Sequence, residues 1–142
     1  MGNVVIQNPP QYTEQIPKWD RETLADGEAM GQVIEQLANN DAYLKKELER
    51  QEHVELITLT AAGWTEESGL FVQSVAVSSV QGDMDLRLFS GLEDSADAEE
   101  RKAYRKAFGI VSGGTGVTGD GFVTFKVDKK PATDLTIGLE GV

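Results

Sequence analysis

Residues 113–121, GGTGVTGDG, are the stretch of this chain whose composition could cradle a phosphate. Gly114, Gly116 and Gly119 spell a literal GxGxxG. A dinucleotide site needs a helix to open at that point, because the pyrophosphate rests on a helix N-terminus, yet GFVTFKV follows and reads as a strand. A Walker loop would need Lys where Asp120 stands after Gly119, and no HRD or DFG accompanies the run as a kinase would require. The segment therefore reads as a flexible hairpin connection.

Other reactive side chains are sparse. His53 is the single histidine, and it falls at a helix-to-strand junction between Glu52 and Glu55, where solvation suffices to explain it. No serine sits in a GxSxG context, so a hydrolase triad lacks support. Glu66 with Glu67 and Glu99 with Glu100 are adjacent carboxylates, which diverge from a turn or helix and do not face one another. Asp83, Asp85 and Asp120 could offer oxygens to calcium, but no EF-hand loop surrounds them. With no cysteine, a thiolate zinc site is out of reach. The chain is not expected to be an enzyme, and no cofactor or metal is expected.

Charge narrows the partners. The 142 residues carry 24 acidic and 13 basic side chains, a net charge of −11, which disfavours general affinity for nucleic acid or anionic lipid, since both depend on Lys and Arg. No run of about 18 apolar residues is present, so no spanning helix and no membrane insertion are expected. MGNVVIQNPP lacks the basic leader and long apolar core of a signal peptide.

The elements that would position any functional surface begin with a helix over residues 23–52. Met30, Ile34, Leu37, Leu44 and Leu48 recur at spacings of four, three, seven and four, the narrow seam of a coiled coil. At about 1.5 Å per residue the helix would be roughly 40 Å long, and no second amphipathic helix follows closely to cover it. Self-association is the expectation. One frame puts Asp41 in the seam and its neighbour puts Asn40 there. Asn40 is the favoured inward residue, because an amide can bond its symmetry mates where aspartates would repel. Thr23 with Asp26 resembles a capping box at the start.

Before the helix, residues 1–22 hold Pro9, Pro10 and Pro17 and are read as an extended anchor, with Tyr12, Ile16 and Trp19 either its docking side chains or packed locally against the first turns of the helix, two roles an oligomer can combine. After it, residues 53–142 alternate with period two in VELITLTAAGW, FVQSVAVSSV and MDLRLF, then in FVTFKV and LTIGLEGV. A polar turn, WTEESG, separates the first two. A helix is expected from Ser95 to a cap at Gly109, followed by a short strand GIVS. Six strands with one crossing helix give an antiparallel β-sandwich. The fold class expected is mainly β with an N-terminal coiled coil, the sandwich head carrying one short helix. A ligand contact on this head, if it has one, is placed at Trp64, Thr65 and the turn to residue 68, or on the 113–121 loop with Asp120.

The run from ITLTAAGWT through KAYRKAFGIVSGGTG to TGDGFVTFKVDKKPATDLTIGL resembles a small domain found at the ends of tail and baseplate fibre proteins of tailed bacteriophages and prophages of Gram-positive gut bacteria. Trp19 followed by DGEAM and VIEQL looks like the segment that opens the coiled coil of such fibres. The resemblance implies a homotrimer in the virion, assembled in the cytoplasm of the host bacterium. It implies an N-terminus joined to tail, baseplate or capsid proteins and a head displayed toward a host-surface polysaccharide or protein. Gln32 and Val33 stand before Ile34 and Glu35 where fibre segments often carry Leu-Asn. A capsid head fibre or decoration protein is the alternative implied, and a polysaccharide-degrading fibre enzyme a further one.

Overall fold

The computed structural model describes residues 2–19 and 27–142. The chain divides into two compact units, Met1–Arg50 and Gln51–Val142. In the first, helix α1 runs over Gly27–Glu52. Its sequence is rich in Ala, Leu, Glu, Gln and Lys, which lose little side-chain freedom in a helix. Two surface pairs one turn apart, Lys45 with Glu49 and Arg50 with Glu47, lie along its second half and add a few tenths of a kcal/mol each. The expected capping pair, Thr23 and Asp26, lies outside the described residues.

The second unit is two antiparallel sheets with a helix. Its strands are β1 Val54–Leu59, β2 Thr65–Glu67, β3 Leu70–Ala76, β4 Arg87–Ser90, β5 Thr115–Gly119, β6 Phe122–Val127 and β7 Leu135–Glu140, and helix α2 spans Ala98–Ser112 between β4 and β5. A three-stranded sheet, here sheet A, has the order β1-β7-β4, and a four-stranded sheet B has the order β2-β3-β6-β5. Alternation along the strands turns Ile57, Leu59, Leu135, Ile137 and Leu139 of sheet A toward Val123, Phe125 and Val127 of sheet B, and Ala107 and Val111 of α2 join them in one core. Each of these Val, Leu, Ile and Phe side chains, fully buried, contributes about 1.5–3 kcal/mol.

The architecture is thus mixed α and β, and the antiparallel sandwich is present. Its wiring differs from the expected meander. Leu59 pairs with Leu135 and Val54 with Glu140, so the first strand of the head sits beside the last; only β2–β3 and β5–β6 are hairpins, and every other step along the chain changes sheet. WTEESG is not a turn. Thr65–Glu67 is strand β2, and only Ser68 (φ 55°) and Gly69 (φ 84°) turn the chain. Two consecutive left-handed residues suit a two-residue hairpin, because their twist matches that of the flanking strands.

Two further differences concern α2. Its N-cap is Asp97 rather than Ser95: Asp97 Oδ1 accepts from the Glu100 amide and Glu100 Oε2 accepts from the Asp97 amide, both at 2.9 Å. It also runs through Gly109 to end at Ser112, so GIVS is helical. Burying Val111 one turn beyond Ala107 outweighs the roughly 1 kcal/mol that a mid-helix glycine costs. The glycine-rich run is strand β5, and only Asp120 and Gly121 form its turn. Gly119 pairs with Phe122 and Gly116 with Phe125, the arrangement in which an aromatic ring on one strand covers the bare backbone of a glycine opposite.

Candidate functional site

The stripe expected on α1 is open apolar surface. Met30, Ile34, Leu37, Leu44 and Leu48 are between 42 and 56% exposed. With about 100° between successive residues they share a single helix face. Asp41, also exposed, falls in the middle of that face.

The opposite face, at Asn39, and one flank of the stripe, at Asn40, are covered by the chain's own N-terminal segment. Asn39 and Asn40 are the two buried residues of α1. Asn39 Oδ1 accepts from the Gln7 amide at 2.7 Å, and its Nδ2 donates to the Val5 carbonyl at 3.2 Å and to the Glu35 carbonyl of its own helix at 2.8 Å. Asn40 Oδ1 accepts from the Thr13 amide at 2.7 Å and its Nδ2 donates to the Thr13 carbonyl at 2.9 Å. Each carboxamide thereby stands in for a neighbouring strand. Asn39 bonds the peptide groups flanking Ile6 as a parallel strand would, and Asn40 bonds both groups of one residue as an antiparallel strand would. The Tyr12 and Tyr43 rings meet at 5.8 Å between centroids. Gln32, Glu35 and Gln36 line a cleft of about 260 Å³ beneath the same segment, together with Val5, Gln7 and Thr13.

This placement corrects the reading of Asn40. Its amide is closed on Thr13 of its own chain, and the polar residue in the stripe is Asp41. Burial on the leader side explains why: an amide satisfied by a main chain costs less to enclose than a carboxylate. The leader's backbone is held on α1, while Tyr12 and Trp19 keep 51% and 42% of their surface exposed and Ile16 is half-buried. The role of Asn39 was missed. The signal was there, since two adjacent asparagines are weak helix formers in an otherwise strong helical sequence.

In the head, the residues named for ligand contact are not brought together. Trp64 is 5% exposed and belongs to the core, so it offers no face to a ligand. Thr65 is exposed on edge strand β2, with its hydroxyl donating to the Val72 carbonyl. Asp120 sits in the β5–β6 turn and accepts from the Gly82 amide at 3.0 Å. Thr65 pairs with Val72 and Val72 with Lys126, toward the opposite end of sheet B from that turn. Among the described residues no group of three His, Asp or Glu converges as a metal site.

A cleft of about 550 Å³ beside α2 is lined by Glu93, Glu100, Tyr104 and Asp134, among others. Its polar groups are engaged in structure: Glu100 caps α2, Asp134 Oδ1 accepts from the Ala61 amide at 2.7 Å, and Ser95 donates to Glu93 at 3.2 Å. The Tyr104 hydroxyl accepts from the Gly91 amide and donates to the Thr136 carbonyl, both at 2.8 Å. A second cleft of about 350 Å³ lies between β4 and β5, lined by core side chains such as Leu88, Val123 and Phe125. Among the described residues no helix is long and apolar enough to cross a membrane.

Comparison with known protein families, curated proteins and solved structures finds no match. Function is therefore read from the geometry of this chain.

Proposed function

We propose that this chain is a structural protein that assembles with copies of itself through α1 and displays its two-sheet head outward. The observation that carries this reading is the division of labour on one helix. The polar face is occupied by the leader, clasped by Asn39 and Asn40. The apolar face, at coiled-coil spacing, is left open over Met30 to Leu48. A leader clasped behind the stripe and along one flank leaves the stripe itself open to a partner helix, so a parallel bundle can form with the leaders outside. There Val4, Val5, Ile6, Tyr12 and Trp19, all exposed, are free to dock on a larger particle.

Together with the resemblance to tailed-phage fibres, this supports a trimeric virion appendage. It is anchored through its N-terminal segment to tail, baseplate or capsid proteins, and its heads attach to a host-surface polysaccharide or protein. Weak binding by each head becomes firm attachment when several are tethered to one stalk. A capsid head fibre or decoration protein that stabilises the particle is the same assembly used at another position. Light scattering on the intact protein tests the core of the proposal: a mass of three chains is expected, and a monomer at micromolar concentration overturns it. A Leu37→Glu, Leu44→Glu variant should fall to the monomer mass with its head still folded.

A further inference from the structure

The outer face of sheet A carries an apolar patch, which its first strand shows in sequence: Ile57 and Leu59 point into the core, while Val54 and Leu56 alternate to the other side with Thr58, which is bonded to Thr136. Across the sheet, Leu56 pairs with Gly138 and Gly138 with Phe89. A Cβ on Gly138 would lie 2.8 Å from Val54, 3.3 Å from Phe89 and 3.8 Å from Leu56, so these three side chains lean together over the glycine. They are 43, 44 and 65% exposed for Val54, Phe89 and Leu56 respectively. The row beside them ends in Arg87 and Glu140, 3.7 Å apart, with the arginine side chain 82% exposed.

We propose that this outer face of sheet A is a contact between heads, its occupant being the same face of a second copy of this chain. The inference rests on the α1 assembly proposed above. What selects a second copy is chain connectivity. Helix α1 ends at Glu52 and β1 begins at Val54, with only His53 between, a reach of about 7 Å. Helices packed side by side lie about 8–10 Å apart, so a parallel bundle holds the Val54 residues of its copies within roughly 25 Å of one another. β1 is an edge strand of sheet A; its inner face is committed to its own core, and its Val54 and Leu56 face carries the exposed apolar side chains. Three side chains would not hold free proteins together, since stable interfaces bury about 1,200–2,000 Å². Tethering by the stalk removes that requirement by raising the effective concentration to the millimolar range.

The chain has no cysteine, so single cysteines can be introduced without interference and the intact protein treated with a short bismaleimide. Leu44→Cys reports the stripe, Leu56→Cys reports the sheet A face, and Lys126→Cys, exposed on the outer face of sheet B, sets the background for random collision. The expected result is efficient cross-linking of Leu44→Cys and of Leu56→Cys, at least fivefold above Lys126→Cys. Cross-linking of Leu44→Cys with Leu56→Cys at background overturns the head contact and leaves the stalk standing. Failure of Leu44→Cys overturns the stalk itself, and the head contact with it. Leu56→Cys dimers whose yield falls on dilution while that of Leu44→Cys holds place the contact between assemblies and overturn the inference.

Discussion

Asn40 holds Thr13 by both of its main-chain groups, through an amide bond of 2.7 Å and a carbonyl bond of 2.9 Å. A side chain on a helix thus fixes a segment 27 residues earlier in the chain without reading its side chain. Replacing Asn39 and Asn40 together by Ala should therefore free the leader while leaving α1 helical. Each lost bond is worth about 0.5–1.5 kcal/mol. Amide exchange at Gln7 and Thr13 should accelerate by tenfold or more. Unchanged protection at both amides would show that the clasp does not hold the leader.

Asp41 lies in the open stripe, where copies of α1 would bring like charges together. Asp41→Leu should tighten self-association at least tenfold, read from the concentration dependence of the solution mass, because it removes the repulsion and continues the apolar seam. The same substitution in a chain whose stripe faced only water would leave the mass unchanged.

Tyr104 ties α2 to sheet A through a hydroxyl that both accepts and donates. Tyr104→Phe keeps the ring that stacks on Phe108 at 5.8 Å and leaves the Gly91 amide and Thr136 carbonyl without that partner. A loss of about 1–3 kcal/mol is expected. For a domain of this size each kcal/mol lowers the melting temperature by about 4–8 °C, which calorimetry on the head transition would register.

Two glycines of the phosphate-loop lookalike should respond differently to the same change. At Gly114 an added methyl runs into the Lys126 carbonyl and approaches Val127 to 2.8 Å, and a backbone group in a sheet cannot step aside. Gly114→Ala should cost about 1–3 kcal/mol. At Gly119 the obstacle is the ring of Phe122, an exposed side chain that can rotate away. Gly119→Ala should cost less than about 1 kcal/mol by denaturant titration, and equal losses at the two sites would contradict the contrast.

The parts of this fold legible in the sequence are those set by local period. Residues four and three apart marked the stripe of α1, and alternation marked β1, β3, β6 and β7. Pairing across the chain was not legible, since nothing near Val54 specifies Glu140 as its neighbour. Strand β5 was hidden because glycine disfavours strands and the aromatics that compensate, Phe122 and Phe125, lie on another strand. Ser95 and Asp97 are both good N-caps, and only the reciprocal bond from Glu100 decides between them. Asn40 was misread for a related reason: a carboxamide suits a seam between helices and a main-chain clasp equally well, and the choice depends on where the leader runs. Trp64 followed the general expectation that a tryptophan beside a polar turn is available for binding, whereas the turn proved to be an edge strand and the indole part of the core.

The adjacency of β1 and β7 sets an order of events during synthesis. Sheet A has β7 as its central strand, so the head cannot close until residues 135–140 have left the ribosome, whereas α1 is exposed more than 80 residues earlier. At about 5–20 residues per second, the stripe has several seconds in which to meet a neighbouring nascent chain before either head exists. In the assembly proposed for α1, on one messenger carrying many ribosomes, stalk pairing would precede head folding, and the copies that fold side by side would be those translated side by side.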